Sequence, residues 1–422
     1  MFSFMNNPTV ALIVATIIKG AILIVILLTA FAYMTLIERR ILAFFQGRLG
    51  PNRAGPLGLF QPLADAVKMA FKEQIIPTQA SKAIYLIAPV ISVVVAISAF
   101  AVIPIGNYWS GSAAHPSIWD PSIGDINVGI LYILAFSSLA VYGIVLGGWS
   151  SGNRYSLLGA LRSAAQMVSY ETSLGLALGG VLIWAGTLSL HSIVNQQVHG
   201  WFVVAQPLGF VIYMIAAFAE VNRAPFDLPE AEQELTAGYL TEYSGLRWSL
   251  YQMSEYINMF TVSSIAASLF FGGWSLFGLT DSVPVLSLLV YVIKVAFFLF
   301  IFIWVRATLP RIRYDRLMTL GWQVLLPLAV LNMLVTAVAV TFNWGWWVSG
   351  VIGLAVIVIA FVAIRRRGLL AGVRREESNG EVVLPSSVRL AKFERVVPDV
   401  SSEESADKQG SQGTQDTTAV QV

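Results

Sequence analysis

The stretch AEVNRAPFDLPEAEQELTAGYLTEYSG, residues 219–245, carries six acids (Glu220, Asp227, Glu230, Glu232, Glu234 and Glu242) against one base, Arg223. Pro229 suits the first turn of a short helix, and the acids behind it suit the dipole of that turn. Glu230 and Glu234 stand four residues apart and share a face of such a helix. Like charges that close resist joint ionisation, so carboxyls of this kind can hold and pass protons near neutral pH. A solvated acidic loop that docks a basic partner fits the same residues, and both readings stand at this point.

Further ionisable groups fall within or at the ends of long apolar runs: Glu171, Glu220, Glu255 and Lys294. A charge at bilayer depth costs at least about 2.5–3.5 kcal/mol and commonly faces a bundle interior or a wet cavity. A string from Glu230 and Glu234 through Glu220 to Glu171 and Glu255 would lead from an aqueous mouth into the membrane. Buried ion pairs that fix helix packing are the alternative, and for Lys294 neither reading is preferred. Lys19 is assigned no role.

The elements that must hold these groups are apolar helices. Of 422 residues, 56% are hydrophobic and only 12% charged, against about 25% charged in soluble domains. The fold class is an all-α polytopic membrane protein. About nine runs are long enough to cross a bilayer core, at roughly 10–37, 83–105, 127–149, 163–187, 202–221, 250–278, 284–306, 321–342 and 346–364. The first run lacks a basic leader and reads as a true span, not a cleaved signal. Arg and Lys crowd the connections after spans one, three, five, seven and nine, and none occur after spans two, four, six and eight. That alternation places the N-terminus outside and the C-terminus in the cytoplasm.

The transmembrane domain is thus 1–364, with cytoplasmic loops 38–82, 222–249 and 306–320. Residues 365–422 form a polar cytoplasmic tail in which disorder is expected. Within the first loop, ERRILAFFQGRLGPNRAGPLGLF is rich in Gly, Pro and Arg and is expected to be irregular. FQPLADAVKMAFKEQ follows with helical period: Phe60, Leu63, Val67 and Phe71 make one stripe, and Gln61, Asp65, Lys68 and Lys72 the other. This is an interfacial amphipathic helix, either a surface anchor or the frame of an opening for a lipophilic substrate.

The chain has no cysteine, hence no disulfide and no thiolate ligand for zinc or an iron–sulfur cluster. Its three histidines, His115, His191 and His199, are too scattered to suggest a metal motif. It contains no P-loop, dinucleotide fingerprint, H-E-x-x-H or G-x-S-x-G signature, and no nucleic-acid partner is expected.

Three segments carry a resemblance. ERRILAFFQGRLGPNRAGPLGLFQPLADAVKMAFKE (38–73), the acidic stretch 219–245, and RATLPRIRYDRLMTLGW (306–322) resemble the cytoplasmic loops of the H subunit (the subunit 1 family) of bacterial proton-translocating NADH–quinone oxidoreductase, respiratory complex I. The resemblance runs from span one through span eight and tips the open readings towards function. It implies a multi-pass subunit of the plasma (inner) membrane that builds the quinone entry portal and chamber with neighbouring peripheral and small membrane subunits, in contact with membrane lipid. It also implies a chain of buried carboxylates, the E-channel, for which Glu171, Glu220, Glu230, Glu232, Glu234, Glu242 and Glu255 are candidates, with Asp227 beside them. Arg39, Arg48, Asp65, Lys68 and Arg306 are candidates for the quinone path, and Phe44, Phe45, Phe60 and Phe226 for its apolar lining. Quinone is then the substrate, while FMN, the iron–sulfur clusters and the NADH site belong to partner subunits. The homologous membrane subunit of a membrane-bound hydrogenase is the closer rival, and a proton-coupled secondary transporter the distant one.

Overall fold

The computed structural model describes residues 8–107, 124–227, 237–278 and 284–367. Every regular element among them is helical. In chain order these are α1 (Pro8–Phe45), α2 (Gln61–Phe71), α3 (Lys82–Ala101), α4 (Gly129–Ser150) and α5 (Arg154–Ala185). There follow the short α6 (Leu190–Gln196) and α7 (Phe202–Ala205), then α8 (Pro207–Glu220), α9 (Gly245–Phe270) and α10 (Pro284–Thr308). Next, α11 (Tyr314–Thr319) runs through a π-helical turn, Leu320–Leu325, into α12 (Leu326–Thr341), and α13 (Trp346–Arg367) follows.

Among the described residues, six helical stretches are long and apolar enough to cross a membrane: Ile13–Phe45, Lys82–Ala101, Gly129–Ser150, Arg154–Ala185, Val285–Thr308 and Tyr314–Thr341. The protein is therefore a multi-pass membrane protein. The apolar helices Pro207–Glu220 and Trp346–Val362 are shorter. Helix α9 is long, but Arg247, Glu255, Asn258 and several serines dilute its apolar character. Most of its residues are buried, because it packs against α3 and α10 inside the bundle. A helix surrounded by protein need not present hydrocarbon to lipid, so its polar side chains are tolerated.

Several boundaries differ from the sequence reading, two of them with a plain local cause. Helix α1 continues through ERRILAFF, expected to be irregular, and stops only at Gly47, whose φ is 65°. Glu, Arg, Ile, Leu and Ala all support a helix, and the first residue suited to a left-handed stop is that glycine. Helix α5 starts at Arg154, nine residues earlier than the span, because Asn153 caps it by accepting from the Tyr155 N–H at 3.0 Å. Helix α2 matches the expected amphipathic segment. Its Phe60, Leu63, Val67 and Phe71 stripe is exposed, and none of its residues is buried.

The core sits where α5 meets α4, α8 and α12. Gly159 lets the Gly238 turn lie directly on α5: a Cβ there would fall 2.6 Å from the Gly238 Cα. The bundle forms one compact unit to Phe361.

Candidate functional site

At the end of α1, Glu38 is 4% exposed. Its carboxylate pairs with Arg223 Nη1 at 3.3 Å and with the guanidinium of Arg306, and it accepts from the Tyr256 hydroxyl at 2.6 Å. The Arg223 guanidinium also lies 4.2 Å from the Tyr256 ring centroid, a cation–π contact between two buried side chains. Two arginines thus face one carboxylate. Arg223 Nε and Nη2 are buried without a hydrogen-bond partner among the described residues. A buried charged donor left unsatisfied is costly, so these two N–H groups are placed to receive an acceptor. Burial alone would lower the Arg223 pKa, but Tyr256, Glu38 and Glu255 together raise it above the usual arginine value. The side chain stays charged, and it is felt by acids on two sides.

The turn that carries Arg223 is held from α5. Gln166 Nε2 donates to Ala219 O at 2.8 Å, Phe226 O at 2.8 Å and Asn222 Oδ1 at 3.3 Å. Asn222 takes a positive φ of 54°, a backbone conformation asparagine tolerates well. Asp227, 7% exposed, closes the turn with an ion pair to Arg311 at 2.9 Å. The Ile312 N–H donates to Pro225 O at 3.0 Å. The loops after α8 and α10 are therefore joined beneath Arg223 and Arg306.

The membrane-depth acids form a second group. The Ser138 hydroxyl of α4 donates to Glu171. Glu220 and Ser137 line one cavity, and Glu220 lies close enough to Glu171 to feel its charge. Glu255, 7% exposed, accepts from the Tyr239 hydroxyl at 3.0 Å. Beside this group, Tyr170 donates to Leu317 O at 2.8 Å and packs on Phe226, while Trp322 in the π-helical turn donates to Ser169 at 3.1 Å. The π turn is thereby tied to the segment of α5 that carries Glu171.

Residues 18–337 match the family model described as NADH dehydrogenase. The chain is 50% identical over 339 residues to the NADH-quinone oxidoreductase H subunit of Deinococcus deserti, covering 79% of this chain and 86% of that one. It is 53% identical over 330 residues to NADH-quinone oxidoreductase subunit 8 of Thermus thermophilus, covering 77% and 87%. Over 309 residues it is 53% identical to the H subunit of Protochlamydia amoebophila, covering 73% and 92%. The chain belongs to the family of NADH-quinone oxidoreductase H subunits.

The residues nominated by that resemblance are placed unevenly. Glu171, Glu220 and Glu255 gather around α4, α5, α8 and α9. Glu242 stands apart at an open cleft, where it accepts from Asn153 at 2.7 Å and lies beside Arg154 and Tyr155. Glu230, Glu232 and Glu234 lie outside the described residues, as do His115 and the tail from residue 368. Arg306 joins the Glu38 cluster. Arg39 pairs with Asp65 of α2 at 2.8 Å, and Gln61 donates to the same carboxylate at 3.0 Å, which ties α2 to α1. Arg48 and Lys68 are exposed. Phe44, Phe45 and Phe60 are exposed, whereas Phe226 is buried against Tyr170.

Glu38, Arg223 and Tyr256 received no role from sequence reasoning, yet they form the most tightly bonded ionic cluster among the described residues. The available signal was an acid at the membrane end of a span, opening a run of arginines. Lys294 has a plain structural use. Its Nζ donates to Phe271 O, Gly273 O and Ser275 O at 2.6, 2.9 and 2.7 Å, and so satisfies carbonyls at and beyond the C-terminal end of α9. Among the described residues no group of His, Cys, Asp and Glu could hold a metal ion.

Proposed function

We propose that this chain is the membrane subunit of NADH–quinone oxidoreductase that forms the quinone entry path and chamber and couples quinone reduction to proton translocation through buried carboxylates. The observation that carries the reading is Arg223. It presents two buried, unpartnered N–H donors beside Tyr256, and it acts electrostatically on both Glu38 and Glu255. The donors suit a quinone carbonyl oxygen, whose negative charge grows on reduction. The same guanidinium then transmits that change of charge towards Glu255, next to Glu220 and Glu171. The exposed apolar stripe of α2, linked to α1 through Arg39 and Asp65, suits the rim over which a lipid-dissolved quinone enters.

On this reading the nine spans place the N-terminus outside and the loops 38–82, 222–249 and 306–320 in the cytoplasm, where peripheral subunits supply FMN and iron–sulfur clusters. The membrane is the plasma (inner) membrane, and small membrane subunits flank the bundle. Glu230, Glu232, Glu234, Glu242 and Asp227 belong to the cytoplasmic end of the carboxylate path. The names of the relatives favour this assignment over the hydrogenase form.

Purification through a C-terminal tag in mild detergent tests the assignment. Co-purifying flavin and iron–sulfur subunits with inhibitor-sensitive NADH–quinone reduction are expected. A nickel–iron centre with hydrogen evolution, or a chain isolated repeatedly on its own, would overturn it. Glu230→Gln or Glu234→Gln should impair quinone reduction and pumping together. A fully assembled, unaltered complex would sink the coupling role.

A further inference from the structure

Two small cavities flank Glu220 inside the bundle. One, of about 20 Å³, is bounded by Ser137 of α4, Tyr213 of α8 and Thr261 of α9. The other, of about 10 Å³, is bounded by Ser254, Glu255 and Tyr239. Roughly 10–15 Å³ is the least that holds a water molecule, which also needs polar partners. Both cavities supply such partners, and the smaller lies at that threshold. Among the described residues, only Glu220 and Asn258 line both cavities. Asn258 follows Glu255 by three residues on α9, as Thr261 follows Asn258, so the three share one helix face towards Glu220. No hydrogen bond to the Asn258 carboxamide is found among the described residues.

We propose that Asn258 is a positioning residue that keeps the two water sites apart, so that a proton crosses from the Glu255 side to the Glu171 side only by way of the Glu220 carboxyl. The inference rests on the reading of Glu220 as a proton carrier. A carboxamide donates through its nitrogen and accepts through its oxygen, but it neither takes up nor releases a proton under working conditions. It can hydrogen-bond a water on each side and still not relay between them. The carboxyl opposite can do both. A wall made of one titratable and one non-titratable group forces the transfer to wait for a change in the protonation state of Glu220. That step, unlike a continuous water file, responds to nearby charge.

The test uses the whole complex in proteoliposomes and reads protons moved per quinone reduced. Asn258→Ala removes half of the wall. Asn258→Asp keeps its shape and adds a second titratable group, and it carries the test alone where the alanine variant does not assemble. Both are expected to reduce quinone while the proton ratio falls at least about twofold. Asn258→Gln keeps the amide and is expected to retain the ratio. A wild-type ratio in both the Ala and Asp variants overturns the inference, as does a fall in ratio equally large in all three. Glu220→Gln, run alongside, separates the two claims. If it leaves rate and ratio untouched, the proton-carrier reading of Glu220 fails. If it impairs pumping while Asn258→Ala and Asn258→Asp keep the wild-type ratio, only the role of Asn258 fails.

Discussion

Glu38→Gln removes one negative charge and almost no volume from the centre of the arginine cluster. The Arg223 contact at 3.3 Å corresponds to a gross attraction of about 5 kcal/mol at an effective dielectric constant of about 20. Arg306 is about one-third exposed, so solvent screens its share to about 1 kcal/mol or less. The Tyr256 bond at 2.6 Å survives with the amide oxygen as acceptor, but falls from the charged to the neutral class, a loss of about 1 kcal/mol. Relief from burying a carboxylate offsets part of the total. Removing one partner of a buried ionic group nets about 3–5 kcal/mol. If about 3 kcal/mol of that is lost at the quinone-facing side, the quinone reductase kcat/KM falls about 100-fold. The assay compares NADH oxidation by quinone with oxidation by a soluble artificial acceptor that draws electrons from the peripheral arm. Only the first should fall, in a complex whose subunits are all present on a native gel. Glu38→Asp, which keeps the charge but shortens the arm, should lie between. An assembled Glu38→Gln complex with quinone reduction within about threefold of wild type would refute the role given to the cluster.

Gln166→Leu frees the turn that carries Arg223 by removing three contacts of 2.8–3.3 Å; at about 1 kcal/mol each, about 3 kcal/mol of local order is lost, and faster limited proteolysis near residue 223 should accompany weaker quinone-site inhibition. Lys294→Met leaves three carbonyls beyond α9 unpaired; the expected loss is about 3 kcal/mol or more, read as a lower temperature of inactivation, with a normal KM for quinone in the complexes that remain. Leu63→Lys places a charge in the exposed apolar stripe of α2; the KM for a long-tailed quinone should rise several-fold while that for a short-tailed analogue stays near wild type, since only the first must cross the rim from lipid. Arg311→Ala breaks a pair with Asp227 in which the arginine is more than one-third exposed; solvent limits its stability cost to about 1 kcal/mol, so a complete loss of assembly would contradict this weighting.

Periodicity and hydropathy were enough to find α2 and the six long apolar stretches, because both signals repeat along the chain and depend on neighbours in sequence. Helix α9 shows the limit of that approach. Its Glu255, Asn258 and serines make it a poor lipid-facing helix, and only its position among α3 and α10 explains why it is tolerated. The Glu38 cluster was harder still. Glu38 meets Arg223 across 185 positions and Arg306 across 268, so no local pattern joins them. A reading that follows acids alone passes over a carboxylate that opens the run ERR, where the arginines read as ordinary loop charge. Lys294 shows the opposite case. Its depth in an apolar helix suggested either a proton carrier or a structural anchor, and the choice required sight of the three carbonyls it caps.

In the proposed function, Arg223 lets the acids at membrane depth and the cluster at the loop act on one another without touching. Glu38 and Glu255 are both buried, and both help to keep the Arg223 guanidinium charged. In the proposed cycle, negative charge that develops on a quinone held at Arg223 Nε and Nη2 competes for the same positive charge. The attraction between Arg223 and Glu255 is then weakened, and this is the route proposed for reduction to reach the carboxylate path. When the product leaves protonated, the competition ends and the attraction between Arg223 and Glu255 is restored. The proposed coupling thus comes from one fixed cation shared by Glu38, Glu255 and the quinone. It requires no large movement of helices, which agrees with a turn already pinned by Gln166, Asp227 and the Ile312–Pro225 backbone bond.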